Sequence, residues 1–217
     1  MKNKTLWKQV GAAAIAAAMV MSTVPATPVQ AAGGKTLAVS SQKQLNQALK
    51  TVKGKNAVIT VKAGKNVKIT IPKGTYKVTI RVVGKQAAVV NNGTVKEIVV
   101  NSKGTVAIKN NGTIKKVTVQ NAKSVSFSGN HKKAVPVVVN AEDVSMILAA
   151  PAKITAKKDV NIVLKKGAEK SSITCTKNVQ AQVDNQTKKA ISVKIADGTT
   201  LKVESGESCT ITPKGKK

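Results

Sequence analysis

Asn91-Asn92-Gly93-Thr94-Val95-Lys96-Glu97-Ile98-Val99-Val100, followed after a turn by Val106-Ala107-Ile108-Lys109, returns nineteen residues on as Asn110-Asn111-Gly112-Thr113-Ile114-Lys115-Lys116-Val117-Thr118-Val119. Val95 recurs as Ile114, Ile98 as Val117 and Val100 as Val119. A fixed period near 20 residues is the mark of a solenoid, in which each repeat buries its apolar side against the one before. Within each repeat the apolar residues alternate with Lys, Thr and Ser, which is the period of a strand with one face inward. The stretch therefore predicts an all-β, single-stranded parallel β-helix of about seven or eight short coils.

The ends read differently. Lys2, Lys4 and Lys8 precede an apolar run from Val10 to Met21. Pro25 and Pro28 break that run, and Val29-Gln30-Ala31 has the small-x-small form of a signal-peptidase site. Residues 1–31 are read as a secretory signal peptide, too short in its apolar part for the roughly 20 residues that span a bilayer. The remainder is expected to be exported, without a transmembrane segment. Residues 32–54 are a lead-in segment and capping helix, 55–212 the solenoid, and 213–217 a basic tail. Ser40 and Ser41 offer an N-cap for a helix from Gln42 to Lys50, with Leu45, Ala48 and Leu49 on one face. Such a helix covers the core of the first coil, which has no neighbour on that side.

Charge dominates the composition. The chain has 37 basic and 9 acidic residues, a net charge of +28. Removing the leader's three lysines leaves +25, and Arg81 is the one arginine. Past the leader the aromatic residues are Tyr76 and Phe127 alone. Val, Ile, Thr, Asn, Lys and Gly dominate, which builds strands and turns around a thin aliphatic core. Aligned by the period, Asn92, Asn111 and Asn130 form one vertical set, and Asn101, Asn121 and Asn140 a second. Stacked amides that bond from coil to coil explain both sets without a ligand. Val106 is expected over Val125 and Val144, Ile108 over Phe127, and Val135 over Ile154. Cys175 and Cys209 lie almost two coils apart, about 9 Å at the usual coil spacing, beyond the ~7 Å a bridge tolerates. Two buried thiols are the expectation, with a bridge left open if the last coil is irregular.

The helix at 42–50, then Val58-Ile59-Thr60-Val61, then Ile71-Pro72-Lys73-Gly74-Thr75-Tyr76, resembles the opening of pectate-lyase-like right-handed parallel β-helices. The resemblance covers about 35 residues. It implies right-handed coiling of parallel strands, the usual hand for parallel crossovers. The coils here are shorter than that family's, and the long loops that carry its active site are missing, so it implies fold rather than activity.

Chemistry is sparse. No Ser/His/Asp or Cys/His set occurs, and His131, the single histidine, sits in a Gly-Asn-His-Lys-Lys turn and is read as a surface residue. Glu142, Asp143 and Asp159 are the weak metal candidates, since Asp143 and Asp159 fall at equivalent turns of consecutive coils. Lys153, Lys157 and Lys158 beside them offer a plain ion-pair alternative. No cofactor is expected. A surplus of +25 on a small rod attracts polyanions. The outward candidates are Lys62, Lys68, Arg81, Lys96, Lys103, Lys109, Lys115, Lys116, Lys123, Lys165, Lys194 and Lys202. Lysine acts as a point charge where arginine offers a planar fork, so diffuse, salt-sensitive attraction is expected rather than stereochemical readout. The leading reading is a secreted, surface-associated rod without an evident catalytic site. It binds an anionic polysaccharide or cell-wall phosphate polymer by charge. Nucleic acid fits less well, because stacking aromatics are lacking. The alternatives are a minimal lyase-like enzyme with a Ca2+ site near Asp143 and Asp159, and a structural or adhesive surface rod. Lysine serving only solubility is the bland counterpart. The oligomeric state is left open.

Overall fold

The computed structural model describes residues 35–64 and 67–213. The leader expected at 1–31 and the last four residues of the tail lie outside them. β1 (Lys35–Val39) leads to α1 (Gln42–Thr51), then to β2 (Ala57–Ala63) and β3 (Val67–Ile71). β4 (Val78–Asn91), β5 (Thr94–Val95), β6 (Glu97–Asn110) and β7 (Thr113–Ile114) make the next two coils. The following four coils use strand pairs: β8 (Val117–Asn121) with β9 (Ser124–Ser128), β10 (Val135–Val139) with β11 (Val144–Ala149), β12 (Ala152–Ala156) with β13 (Val160–Leu164), and β14 (Ser172–Cys175) with β15 (Ala181–Asn185). β16 (Ile191–Lys194), β17 (Thr200–Val203) and β18 (Ser208–Ile211) close the far end. The result is a β-solenoid of about eight turns with ~19-residue coils.

Two faces wrap one core. The first stacks β1, β2, the front of β4, the front of β6, β8, β10, β12, β14, β16 and β17. The second stacks β3, the back of β4, the back of β6, β9, β11, β13, β15 and β18. A small third side, made by Thr75, β5 and β7, carries the chain back from the second face to the first. β4 and β6 run continuously across both faces. Their mutual register shifts between Gly84 and Gln86, and Gly84 takes a φ of 124° that a side chain resists. Sequence alternation treats these as separate strands. The structure joins them because pairing continues through the corner.

The core is a set of vertical columns. Ile59, Ile80, Ile98, Val117, Val137, Ile154, Ile173 and Val193 lie rung on rung on the first face. On the second face Val106, Val125, Met146 and Ile162 do the same, as do Val89, Ile108, Phe127, Leu148 and Leu164. Two expected stacks need correction. Met146, not Val144, lies over Val125, and Val135 lies over Ala152 while Val137 lies over Ile154. The coils differ in turn length, so a constant sequence shift slips by a two-residue step. A two-residue step keeps every side chain on its own face.

Both ends are closed by different means. Ser41 accepts from Gln44 N and caps α1, whose Leu45, Ala48 and Leu49 join the core. The Gln42 amide completes the seal: its Nε2 donates to Thr70 O (2.8 Å) and its Oε1 accepts from Thr70 N (2.6 Å). One side chain thus replaces a missing strand at the edge of β3. At the far end β17 and β18 turn back and pair antiparallel to β16 and β15. This corrects the expectation of an all-parallel stack. It also moves Cys209: β18 lies directly beside β15, so Cys209 is one coil beyond Cys175 rather than two. Both are free thiols, Cys175 buried and Cys209 half-buried.

Candidate functional site

The turn that opened the sequence reading is built on buried amides. Asn91 and Asn110 are fully buried, and Asn91 Nδ2 donates to Asn110 Oδ1 (2.8 Å) and to Gly93 O (2.9 Å). The neighbouring Asn111 Nδ2 donates to Asn92 Oδ1 (3.0 Å) at the surface. Asn130 meets the stack through its backbone, N to Asn110 O (3.1 Å), and Asn140 through its own, N to Val119 O (2.8 Å). Asn101 lies beside Asn121 in register. Gly112 is required because a Cβ there would collide with Gly93 O of the coil before.

These turns stack the return side of every coil, and the lysines follow them. Lys73, Lys77, Lys96, Lys115, Lys116, Lys132, Lys133, Lys165, Lys166, Lys170, Lys188 and Lys189 all lie on return segments, and all are exposed. Four acids stand among them: Glu97, Glu169, and Glu204 and Glu207 in the turn that lies against Asn185 and Thr187. Glu97, at the start of β6, takes Lys116 at 3.5 Å and the Thr118 hydroxyl at 2.6 Å. Glu169 accepts from Gly167 N at 2.9 Å. Its own backbone N–H and that of Gly167 hold its carboxyl below the usual range, with Lys166 and Lys189 adding to the effect. Lys132, Lys170 and Lys189 rim a shallow cleft of about 300 Å³ on this edge. His131 forms part of its wall. It is no free surface residue, contrary to the sequence reading. Its Nε2 lies 2.9 Å from Pro151 O, its Nδ1 lies 3.2 Å from Asn110 O, and its ring packs edge-on against Phe127.

The opposite corner, where the first face turns into the second, is broken up. Lys85, Lys103 and Lys123 stand on successive coils there, with Lys157, Lys158 and Lys177 further along, and Glu142, Asp143, Asp159 and Asp197 occupy three of the later turns. Glu142 Oε1 takes Lys158 Nζ at 2.8 Å, and that hydrogen bond raises the Lys158 pKa. Asp143 and Asp159 are adjacent, with Asp143 N donating to Asp159 O (2.9 Å), while Asp159 Oδ1 accepts from Gln180 N (2.8 Å). Among the described residues no three or more His, Cys, Asp or Glu side chains gather as a metal site would require.

The sequence-predicted basic residues fall into three groups. Lys96, Lys115, Lys116 and Lys165 are on the return edge. Lys62, Lys103 and Lys123 are at the opposite corner. Lys68 and Lys109 point outward from the second face, and Arg81, Lys194 and Lys202 from the first. Most of the return edge was missed, Lys132, Lys133, Lys170, Lys188 and Lys189 among it. The available signal was the lysine pair that follows four strands of the second face: Lys115-Lys116 after β6, Lys132-Lys133 after β9, Lys165-Lys166 after β13 and Lys188-Lys189 after β15. No helix among the described residues is long and apolar enough to cross a membrane. Compared with family models, with curated proteins and with solved structures, the chain matches none.

Proposed function

We propose that this protein is an exported rod that binds an anionic extracellular polymer along its return edge. The observation that carries the reading is the unequal placement of charge. Among the described residues twelve lysines and four acids lie along the return edge, whereas the opposite corner has seven lysines and four acids. Stacked coils put successive rungs about 4.8 Å apart, so the edge is a line of point charges on a rigid backing. Such a line raises the local concentration of any polyanion and grips it without reading its stereochemistry. A phosphate polymer of the cell wall or an acidic polysaccharide suits an exported chain. The capping helix and the Ile71–Tyr76 turn, closed by the Tyr76 hydroxyl donating to Lys73 O (3.2 Å), support descent from pectate-lyase-like right-handed β-helices. The scaffold then survives without that family's catalytic loops.

The test is titration with polyphosphate and with an acidic polysaccharide at several salt concentrations. Affinity is expected to fall by at least tenfold between 50 and 200 mM salt, as counterion release dictates for several contacts. Replacing Lys115, Lys132, Lys170 and Lys189 by Gln is expected to weaken binding more than the same change at Lys85, Lys103, Lys123 and Lys177. Binding that ignores salt, or equal loss from both sets, sinks the proposal.

A further inference from the structure

The second face is the least charged surface of a very basic chain. Its outward central column, read rung by rung from the parallel register, is Lys68, Ala88, Ala107, Ser126, Ile147, Val163 and Asp184. Read backwards, the column complements itself. Lys68 falls opposite Asp184, Ala88 opposite Val163, Ala107 opposite Ile147, and Ser126 opposite Ser126. One flanking column behaves likewise, with Gln86 opposite Asn161, Thr105 opposite Ser145 and Ser124 opposite itself; the other sets Lys109 opposite Ala149 and Ser128 opposite itself. We infer that two copies of this chain pair face to face through this surface, with their solenoid axes antiparallel and a two-fold axis along β9 at Ser126.

A two-fold axis lying along the strands reverses the order of the rungs and keeps each position along the strand. Every residue of the column therefore meets the partner residue that the reversed reading names. Isologous pairing requires such a self-complementary patch, in which i meets j and j meets i. Small residues sit opposite large ones on both sides of the axis, so the two sheets fit without voids. The end charges pair twice, and no like charges face each other within the column. Asp184 is held at the sheet surface by Gln186 Nε2 (2.6 Å) and Ser208 Oγ (3.3 Å). An anionic polymer finds little to grip here, and an unrelated protein has no need of the reversal symmetry. Lysines crowd the return edge, and this is the face on which two strongly basic copies meet with least repulsion. The patch measures about 34 Å by about 16 Å. It buries roughly 1,100 Å² over both copies, near the lower limit for a specific interface, so exchange between monomer and dimer follows. The dimer strengthens with added salt, which screens the surplus charge. Polyanion binding weakens under the same change, so the two readings fail independently.

Sedimentation equilibrium of the mature chain, to about 200 µM protein and up to about 0.5 M salt, tests the pairing. The wild type is expected to dimerise, more so at high salt. Ile147→Lys, with its fold checked by circular dichroism, is expected to be monomeric. Lys68→Asp is expected to weaken the dimer about tenfold, and adding Asp184→Lys in the same chain to restore it to within about threefold, figures set by one to two ion pairs. Ser192→Lys on the first face is expected to change nothing. A wild type that stays monomeric, a dimer indifferent to Ile147→Lys, a double swap no better than the single one, or equal loss from Ser192→Lys overturns the inference.

Discussion

Asn91 and Asn92 are identical in chemistry and adjacent in sequence, yet only the first is fully buried. Asn91→Ala removes the buried donor to Asn110 Oδ1 and the acceptor of Gly93 N, while Gly93 O keeps its bond from Thr113 N. The expected loss is about 2–3 kcal/mol of stability. Asn92→Ala removes a surface amide bond and is expected to cost about 0.5 kcal/mol or less. Thermal melts of the two variants check the ranking, and equal shifts would show that the buried ladder is not what holds the turn. The period was legible in the sequence, but the buried member of each Asn pair was not. Alternation stops at a turn, and the local backbone decides which amide points in. Cys175 poses a second residue-scale question. Burial, with Cys209 nearby, pushes its pKa up to about 11. A thiol whose folded pKa is raised stabilises the fold below its unfolded value, and that contribution disappears as pH rises from about 9 through about 11. The stability difference between wild type and Cys175→Ala is therefore expected to shrink over this range. Alkylation at pH 8 is expected to label Cys209 well before Cys175. Comparable labelling rates would contradict the buried placement.

At the scale of elements, the alternating pattern identifies strands well because the same residues build every rung. Its limit is direction. An inward-outward alternation reads the same whether a strand pairs parallel or antiparallel, so Leu201–Val203 and Cys209–Ile211 gave no sign of turning back. That return reverses the chain at the far end, so β15 and β16 each have a parallel partner on one side and an antiparallel one on the other. The other end depends on one side chain. Thr70 N and O both point away from β4 and are taken by the Gln42 amide. Gln42→Ala leaves that edge open. Hydrogen exchange of the Thr70 amide is expected to quicken by tenfold or more, the equivalent of about 1.4 kcal/mol of lost protection, while Ile108 in the middle of the rod stays unchanged. Uniform acceleration across the chain would mean that Gln42 supports the whole fold rather than sealing an edge.

For the whole molecule, the net charge of +28 was legible as a number but not as a pattern. Lysines spaced through the sequence collect on one edge only when coils of unequal length are stacked, and the acids that break the opposite corner come from three separate turns. The unequal placement has a consequence for the ligand's geometry. About eight coils at roughly 4.8 Å per rung give an edge of about 38 Å. A linear polyanion lying along it gains a contact with each added unit until it spans that length. Longer chains then add only the number of places at which binding starts. Affinity for size-fractionated polyphosphate is therefore expected to climb steeply up to a contour of about 38 Å and to rise slowly beyond it. The salt dependence should grow with length over the same range, because each new contact releases further counterions. A polymer crossing the rod would instead touch two or three coils. Its affinity and salt dependence would level off at a contour of about 15 Å, and that earlier plateau would rule out binding along the edge.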